Sequence, residues 1–250
     1  MLDPADARAV LHEFFAGGDR EFVPQLSVDC VILGFHEGEL RVLLVRWAGA
    51  EAWSLPGGYV KTDEPLDLAA ERVLRERTGL DRIFLQQFHT FGGTDRREHT
   101  LRSVFQAAGV TVSPDHWVLG RVISVAYVAL VDFARATPMR DALSEECRWW
   151  PLNDRPPLLF DHDTILAGGL SAVRDRLSAA QPDAASMAAS LLPERFTMPE
   201  LQRLYEAVLG RRFDRRNFQK MILERGLVVR SPARELGVRH RARYLYEFAT

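Results

Sequence analysis

The chain has 250 residues, which is enough for two domains. Hydrophobic residues make up 47% of it and charged residues 26%, a composition typical of a soluble globular protein and not of a disordered or fibrous one. The net charge of −2 hides an asymmetry, because residues 191–250 carry a balance of +6 and the remaining residues carry −8. A basic C-terminal module on an acidic body predicts a polyanion partner for that module, with a solvated arginine-rich surface as the alternative.

The first residues lack the basic-then-apolar pattern of a signal peptide, and no apolar run reaches membrane-spanning length. Cys30 and Cys147 have no metal-ligand spacing and suggest a reducing compartment. We therefore expect a cytoplasmic protein that does not enter a membrane. The seven histidines show no ligand spacing either, so the sequence predicts no metal site and no cofactor.

In chain order, residues 1–26 are predicted to form a helical lead that Pro24 ends. Residues 31–36 and 41–47 have the pattern of two strands joined by a turn. The next segment ends in Gly57 and Gly58, where backbone freedom would let a phosphate approach or would simply allow a tight turn.

Residues 58–80, GYVKTDEPLDLAAERVLRERTGL, keep the frame of the Nudix box, G-x5-E-x7-R-E-U-x-E-E-x-G-U with U aliphatic. Seven of its nine fixed positions match, and the two that fail, Val73 and Arg77, stand where the box has glutamate. Pro65 suits the first position of a helix, and Gly79 suits a left-handed C-terminal stop. The sequence thus predicts the helix of the box, but two of the glutamates on which the chemistry of the box depends are replaced.

Positions 73, 76 and 77 share one helical face, since residues three and four apart are neighbours. In a working box that face carries three carboxylates, which hold Mg²⁺ against a diphosphate. Here only Glu76 remains; with Glu64 and Arg72 it forms a remnant, and no catalytic residue is assigned. Arg77 is either a solvated charge near the helix end or a direct contact to a diphosphate in place of the metal.

After residue 120 the sequence predicts a strand, a connector and a helix in turn. Residues 122–132 are predicted to form a buried central strand, residues 149–160 a proline-rich connector, and residues 164–180 a helix that residues 181–183 break. The predicted domains are a sensing domain over 1–160, a linker helix over 161–182 and a DNA-binding domain over 183–250.

The basic tail has the pattern of a helix-turn-helix. Thr197 and Glu200 form a capping-box pair before a helix over 201–209, and Asp214 can cap a second helix over 215–225. Arginines at 215 and 216 oppose the helix dipole by a few tenths to about 1 kcal/mol each, which insertion into a DNA major groove would explain.

Two strand-like runs, 227–230 and 243–248, follow with a basic stretch between them, so the pattern predicts a winged helix. The predicted DNA contacts are Arg211, Arg212, Arg215, Arg216, Asn217, Gln219, Lys220, Arg234, Arg239 and Arg241.

Several motifs together resemble the Nudix-related transcriptional regulators of bacterial NAD and sugar metabolism. They lie at residues 53–64, 72–80, 120–127 and 214–218, and in the connector 150–162, so the resemblance covers nearly the whole chain from about residue 25. It implies an α/β fold: a Nudix-type α/β/α sandwich with a mixed sheet, plus a C-terminal winged helix-turn-helix domain. It also implies a dimeric repressor or activator that senses a nucleotide-sugar diphosphate, typically ADP-ribose, and then releases DNA.

The resemblance makes three further side chains candidate effector contacts beside Gly57, Gly58 and Arg77. Phe91 would stack on a base or pack in the core, and Arg96 and Arg121 would clamp phosphates or lie at the surface. The chain departs from the family at residues 98–119, which look like an insertion beside the expected ligand mouth, so a related sugar or nucleotide phosphate could replace ADP-ribose.

Our main hypothesis is a homodimer that binds an inverted-repeat operator in double-stranded DNA and responds to such an effector. The alternative is a Mg²⁺-dependent Nudix diphosphate hydrolase with an accessory C-terminal domain. It would use Glu76 with acids from elsewhere, such as Glu71, Asp95, Glu145 or Glu146. Glu71 and Glu76 are about 140° apart around the helix, which is a poor geometry for chelation.

Overall fold

The computed structural model describes residues 18–47, 52–80, 83, 85–94, 106, 111–133, 136, 138–139, 144–179, 188–234 and 243–249. The chain divides into two compact units. The first holds residues 1–32, 42–129 and 136–169, and the second holds residues 33–41, 130–135 and 170–250. No described helix is long and apolar enough to cross a bilayer.

The larger sheet has seven strands, with the order β3-β2-β1-β6-β5, while β4 pairs with β1 and β7 with β2. The strands are β1 (Phe22–His36), β2 (Glu39–Trp47), β3 (Trp53–Ser54), β4 (Gly57–Lys61), β5 (Gln86–Phe91), β6 (Ile123–Val131) and β7 (Ser144–Pro151). The central strands are mostly apolar without alternation: residues 28–33 of β1 and 124–131 of β6 are all buried, Asp29 and Ser124 included. A strand covered on both faces has no reason to alternate polar and apolar residues.

The box helix, α1 (Leu66–Thr78), begins one residue later than predicted, because Pro65 has an extended backbone and stands outside the helix as its cap. Gly79 ends α1 in the left-handed conformation with φ +70°, as predicted. Its N–H donates to the carbonyl of Arg75, which satisfies one of the last open acceptors of the helix.

The helix α2 (His162–Ala179) contributes its first residues, up to Gly169, to the first unit and the rest to the second. In the second unit, α3 (Met198–Leu209) and α4 (Arg215–Glu224) are followed by β9 (Val228–Arg234) and β10 (Tyr244–Phe248). With β8 (Phe196–Thr197), the last two strands form a three-stranded sheet in the order β8-β10-β9.

The caps predicted for these helices are present. Thr197 and Glu200 form the reciprocal capping box of α3, and the Asp214 carboxylate accepts a hydrogen bond from the N–H of Asn217 at 2.9 Å. Phe218 and Ile222 are the buried face of α4. The wing strands are the predicted ones with shifted ends.

Two boundaries predicted from proline are wrong. Residues 18–21 are helical, but β1 starts at Phe22, so Pro24 lies in a strand and does not end the lead. The connector starts after Pro151 instead of at residue 149, because Trp149 and Trp150 belong to β7. Proline is tolerated at the edge or end of a strand, where no ladder hydrogen bond from its nitrogen is required.

Candidate functional site

The charged residues that survive in the box are bound to one another. Arg72 donates through Nε to Glu64 Oε2 at 2.9 Å, through Nη1 to Glu76 Oε2 at 2.9 Å, and through Nη2 to the carbonyl of Tyr59 at 2.9 Å. Glu64 Oε1 also accepts from the N–H of Lys61 at 2.8 Å. The hydrogen bonds from Arg72 are the main reason that the pKa of Glu64 lies below its usual value, although burial acts in the opposite direction.

The face of α1 that carries positions 73, 76 and 77 does not fit a divalent cation. Val73 is buried and packs over Gly58, and Arg77 brings a positive charge beside Glu76. Glu76 itself is engaged by Arg72. Among the described residues, no three His, Cys, Asp or Glu side chains are grouped so that they could hold a metal ion. A Mg²⁺ ion requires several oxygen ligands. This face of α1 offers one carboxylate, that of Glu76, and Arg72 already binds it.

Arg77 and the two glycines of the effector prediction lie together. The Nε of Arg77 donates to the carbonyl of Gly57 at 3.0 Å, so this arginine ties the end of α1 to β4. A Cβ on Gly57 would lie 2.1 Å from Asp29 Oδ1, and a Cβ on Gly58 would lie 2.9 Å from Val73 Cγ2. Both glycines therefore allow close packing within the sheet and against α1, a reason that sequence reasoning did not supply.

The other predicted effector contacts form a second group at the end of β5. Phe91 stands edge-on to His89, with ring centroids 4.8 Å apart, and its ring is 3.2 Å from the Cβ position of Gly168 in α2. The exposed Arg121 donates through Nη2 to the carbonyl of Gly92 at 2.6 Å. Phe91 is thus half-buried packing at a strand end rather than a loop residue. Arg96 lies outside the described residues.

A buried polar cluster beside Gly57 escaped sequence reasoning. Asp29, only 1% exposed, accepts a short hydrogen bond from Ser124 Oγ, and its Oδ1 lies 3.5 Å from Nε2 of the buried His162. His162 Nδ1 accepts from the N–H of Leu55 at 3.0 Å. Because the aspartate stands between the serine and the histidine, the cluster lacks the nucleophile-to-base contact of a hydrolytic triad. The one signal for it was an aspartate inside the apolar run of β1.

The described end of the predicted insertion packs on the strand that opens the box. Trp117, in a short 3-10 helix (Trp117–Leu119), meets the ring of Tyr59 edge-on with centroids 4.9 Å apart. The hydroxyl of Tyr59 donates to the carbonyl of Val118 at 3.4 Å. The insertion thus returns to the box through an aromatic contact. Its residues 98–105 and 107–110 lie outside the described residues.

In the second unit, the predicted DNA contacts on α4 lie at the surface of the helix. Arg215, Arg216, Asn217 and Lys220 are exposed and Gln219 is half-buried. An open concavity runs along one side of α4. Its lining residues are Asp214, Arg215, Arg216, Gln219, Lys220 and Leu223. Lys220 makes only a loose ion pair with Glu224, at 3.8 Å between Nζ and Oε1.

The turn before α4 is held by one carboxylate. Glu206 accepts hydrogen bonds from Gln202 Nε2 at 3.0 Å and from the N–H of Phe213 at 2.9 Å, and Arg212 Nη1 lies 3.3 Å from it. The hydrogen bond from Gln202 comes first among the causes that lower the pKa of Glu206. Arg211 covers the ring of Phe213, with its Cζ 4.8 Å from the centroid. Both arginines of the turn are therefore positioned by partners.

The wing, formed by β9 and β10, carries the remaining predicted DNA contacts. Arg230 lies over the ring of Tyr244, with Cζ 3.1 Å from the centroid, where β9 and β10 pair. Arg234 ends β9 opposite Tyr244. Arg239 and Arg241 lie outside the described residues.

Comparison with known proteins identifies the family. The NUDIX domain family matches residues 23–167, more than half of the chain. The chain belongs to the NUDIX family. Residues 188–248 of this NUDIX protein match the NrtR DNA-binding winged helix domain.

Several relatives match this chain along most of their length. The "ADPR responsive transcriptional repressor NtrR" of Acinetobacter baylyi is 28% identical over 233 residues, covering 90% of this chain and 82% of the relative. The crystal structure of Shewanella oneidensis NrtR with a 27mer DNA is 26% identical with a TM-score of 0.67, covering 90% of this chain and 94% of that one. A MutT/nudix family protein of Enterococcus faecalis, 22% identical with a TM-score of 0.65, covers 96% of this chain and 93% of that one and shares the fold.

The predicted resemblance to Nudix-related regulators is confirmed, and so is the predicted combination of an α/β Nudix fold with a C-terminal winged helix. The similarity to a transcriptional repressor also fits the prediction that the chain does not act as an enzyme. The predicted site residues and domain limits stay predictions.

Proposed function

We propose that the chain is a DNA-binding transcriptional repressor whose catalytically impaired Nudix domain binds ADP-ribose or a related nucleotide-sugar diphosphate and thereby weakens operator binding. The observation that carries the proposal is the joint presence of a retained Nudix frame without its carboxylate face and a winged helix whose helix α4 is exposed and basic.

The DNA-binding half rests on the first turn of α4. No residue of that turn supplies an acidic side chain, and Arg215 and Arg216 stand where the positive end of the helix dipole repels them. A phosphate backbone would reverse that unfavourable interaction. Arg215, Arg216, Asn217, Gln219 and Lys220 are the proposed groove contacts; Arg211, Arg212, Arg234, Arg239 and Arg241 are the proposed backbone contacts.

The effector half rests on the segment that Arg77 holds. Arginine presents five N–H donors in a fork that suits phosphate oxygens, and the Nε of Arg77 already lies at the segment, on the carbonyl of Gly57. The proposed diphosphate contacts are Arg77 and the backbone at Gly57 and Gly58, with Phe91, Arg96 and Arg121 toward the rest of the effector. The NtrR relative, described as ADPR responsive, supports ADP-ribose as the first compound to test.

Hydrolysis is not part of the proposed function. The ligand face of α1 is incomplete. The other acids of the alternative enzyme hypothesis are paired with arginine or lie on another side of the helix. Glu145 and Glu146 pair with Arg46 at 3.1 and 3.5 Å, and Glu71 is exposed on a different side of α1. Asp95 lies outside the described residues. We expect no release of AMP from ADP-ribose with Mg²⁺; turnover at the rate of a dedicated hydrolase would restore the enzyme hypothesis.

The proposal includes a homodimer, a sensing domain over 1–160, a linker helix over 161–182 and a DNA-binding domain over 183–250. A protein that regulates transcription works where the chromosome is, so the cytoplasmic location belongs to the same proposal.

The proposal is tested by fluorescence anisotropy of the purified protein on labelled DNA from upstream of its own gene, with and without ADP-ribose. We expect salt-sensitive binding that ADP-ribose weakens by tenfold or more. Arg215→Ala removes a charge from the start of α4 and should weaken binding at least tenfold. Arg225→Ala removes the same charge from the other end of the helix, and we expect at most a threefold effect. Equal effects of the two variants would rule out α4 as the recognition helix.

A further inference from the structure

The helix α2 makes one side-chain hydrogen bond to the box side of the first unit and another to the helix-turn-helix of the second. At its first residue, His162 Nδ1 accepts from the N–H of Leu55 at 3.0 Å. About three turns later, Arg174 Nε donates to the carbonyl of Val208 at 2.8 Å. Neither bond belongs to the proposed effector contacts or to the DNA surface.

The hydrogen bond at His162 connects α2 to the segment 55–58. Leu55 opens this segment, and Gly57, two residues on, is held by Arg77 from one side and touched by Asp29 from the other. Asp29 Oδ1 in turn lies 3.5 Å from His162 Nε2, and both side chains are almost fully buried. An imidazole whose Nδ1 accepts a hydrogen bond carries its proton on Nε2, the nitrogen that faces Asp29. His162 therefore contacts both flanks of the segment, through Leu55 and through Asp29.

The bond at Arg174 acts on the end of α3. Val208 is among the last four residues of α3, whose carbonyls have no partner inside the helix. The last turn of α3 contains no basic residue of its own. Arg174 thus supplies from α2 the positive charge that stabilises a helix C-terminus. The next residues of the chain are the turn that Glu206 holds and then the recognition helix.

We propose that α2 couples effector binding to DNA binding, with His162 and Arg174 as positioning residues at its two ends. The inference rests on the proposed function. A diphosphate drawn to Arg77 and the backbone of Gly57 shifts the segment 55–58, and His162 follows that shift through Leu55 and Asp29. The helix is continuous from His162 to Ala179, so the displacement reaches Arg174 and through it the end of α3. The two ligands then favour different positions of α2, which is the differential affinity that coupling requires.

The test measures three affinities for each variant: ADP-ribose alone by calorimetry, DNA alone by anisotropy, and DNA at saturating ADP-ribose. The coupling factor is the ratio of the two DNA affinities. We expect Arg174→Ala to keep both single-ligand affinities within threefold of the wild-type values and to reduce the coupling factor by tenfold or more. Asp175→Asn, at the exposed neighbouring position, should change none of the three.

The first end of α2 has its own pair of variants. His162→Asn keeps an acceptor for the Leu55 N–H and should retain part of the coupling, whereas His162→Phe removes both polar contacts and should abolish most of it. A merely structural role would lower the single-ligand affinities and leave the coupling factor unchanged.

Full coupling in Arg174→Ala and His162→Phe would overturn the inference while leaving the proposed function standing. A wild-type protein whose DNA affinity ignores ADP-ribose would instead contradict the proposed function, and the coupling role of α2 would fall with it. The two failures are therefore distinguished by the wild-type measurement alone.

Discussion

Arg72 organises the surviving box more than any other residue. Its guanidinium reaches the side chains of Glu64 and Glu76 and the backbone of Tyr59, and both Arg72 and Glu64 are only 13% exposed at their side chains. An arginine–carboxylate pair with two parallel hydrogen bonds fixes orientation as well as charge. The pair therefore joins α1 to β4 whether or not chemistry takes place beside it.

Replacing Arg72 by Met should destabilise the fold by about 2–4 kcal/mol, because Glu64 would remain mostly buried without its partner. Urea unfolding followed by circular dichroism measures the change. Arg75→Met, at an exposed position of the same helix, should change the free energy of unfolding by less than about 0.5 kcal/mol. Equal losses in the two variants would contradict the role given to Arg72.

The lowered pKa of Glu64 gives this pair a pH dependence of known sign. A carboxyl whose pKa is lower in the folded state than in the unfolded state stabilises the fold above its unfolded pKa of about 4.3, and that stabilisation is lost as the pH falls through the folded pKa. The difference in unfolding free energy between wild type and Glu64→Gln should therefore be largest near pH 7 and shrink below pH of about 4. A difference that grows toward acid would contradict the assignment.

At the scale of elements, the close approaches around β4 determine how the sensing unit packs. The strand lies beside β1 and against α1, and its first two residues are glycines because Asp29 and Val73 occupy the space that a Cβ needs. Asp29 is held by Ser124 and cannot readily withdraw. The strand and the box helix thus share one tightly packed boundary.

Gly57→Ala should lower the free energy of unfolding by about 2–3 kcal/mol, since the new methyl group would meet a fixed carboxylate and the carbonyl of Val28. Gly58→Ala should cost about 1 kcal/mol, because it meets only a terminal methyl group of Val73. Thermal unfolding of both variants ranks the two effects. The reverse order would show that Asp29 can move aside.

The elements that the sequence predicted best are those with local signals. The capping box at Thr197, the N-cap at Asp214, the left-handed glycine at 79 and the apolar run of β6 each depend on neighbours a few residues away. The contacts of Gly57 with Asp29 and of His162 with Leu55 join residues far apart in the chain, so no spacing rule could find them. Arg77 was predicted to face solvent or a diphosphate, and its bond to Gly57 depends on the same long-range packing.

For the whole molecule, the separation of charge assigns different partners to the two ends of the chain. The C-terminal 60 residues carry +6 against −8 elsewhere, so nucleic acid is attracted to one part and repelled by the other. In a homodimer, two such basic modules would bind half-sites one helical turn, or a multiple, apart.

The proposed dimer makes the spacing of the two half-sites testable. Inserting five base pairs between them turns one half-site by about half a turn and should weaken binding more than tenfold, whereas inserting ten should restore part of it. Anisotropy with the three operators measures this, and light scattering gives the mass of the free protein. Indifference to a five-pair insertion would contradict simultaneous binding by two fixed recognition helices.

The hydrogen bonds of Arg72 with Glu64 and Glu76 also have a consequence for how the sequence of such a motif can change. Glu64, Arg72, Gly58 and Gly79 each have a task in packing or in ending a helix, so selection for folding alone would retain them with or without hydrolysis. Positions 73 and 77 are tied to folding only through the side chains that now occupy them, a valine over Gly58 and an arginine on the carbonyl of Gly57. Counting matches to the box across a lineage therefore measures how well the scaffold is kept, whereas positions 73 and 77 report on its carboxylate face.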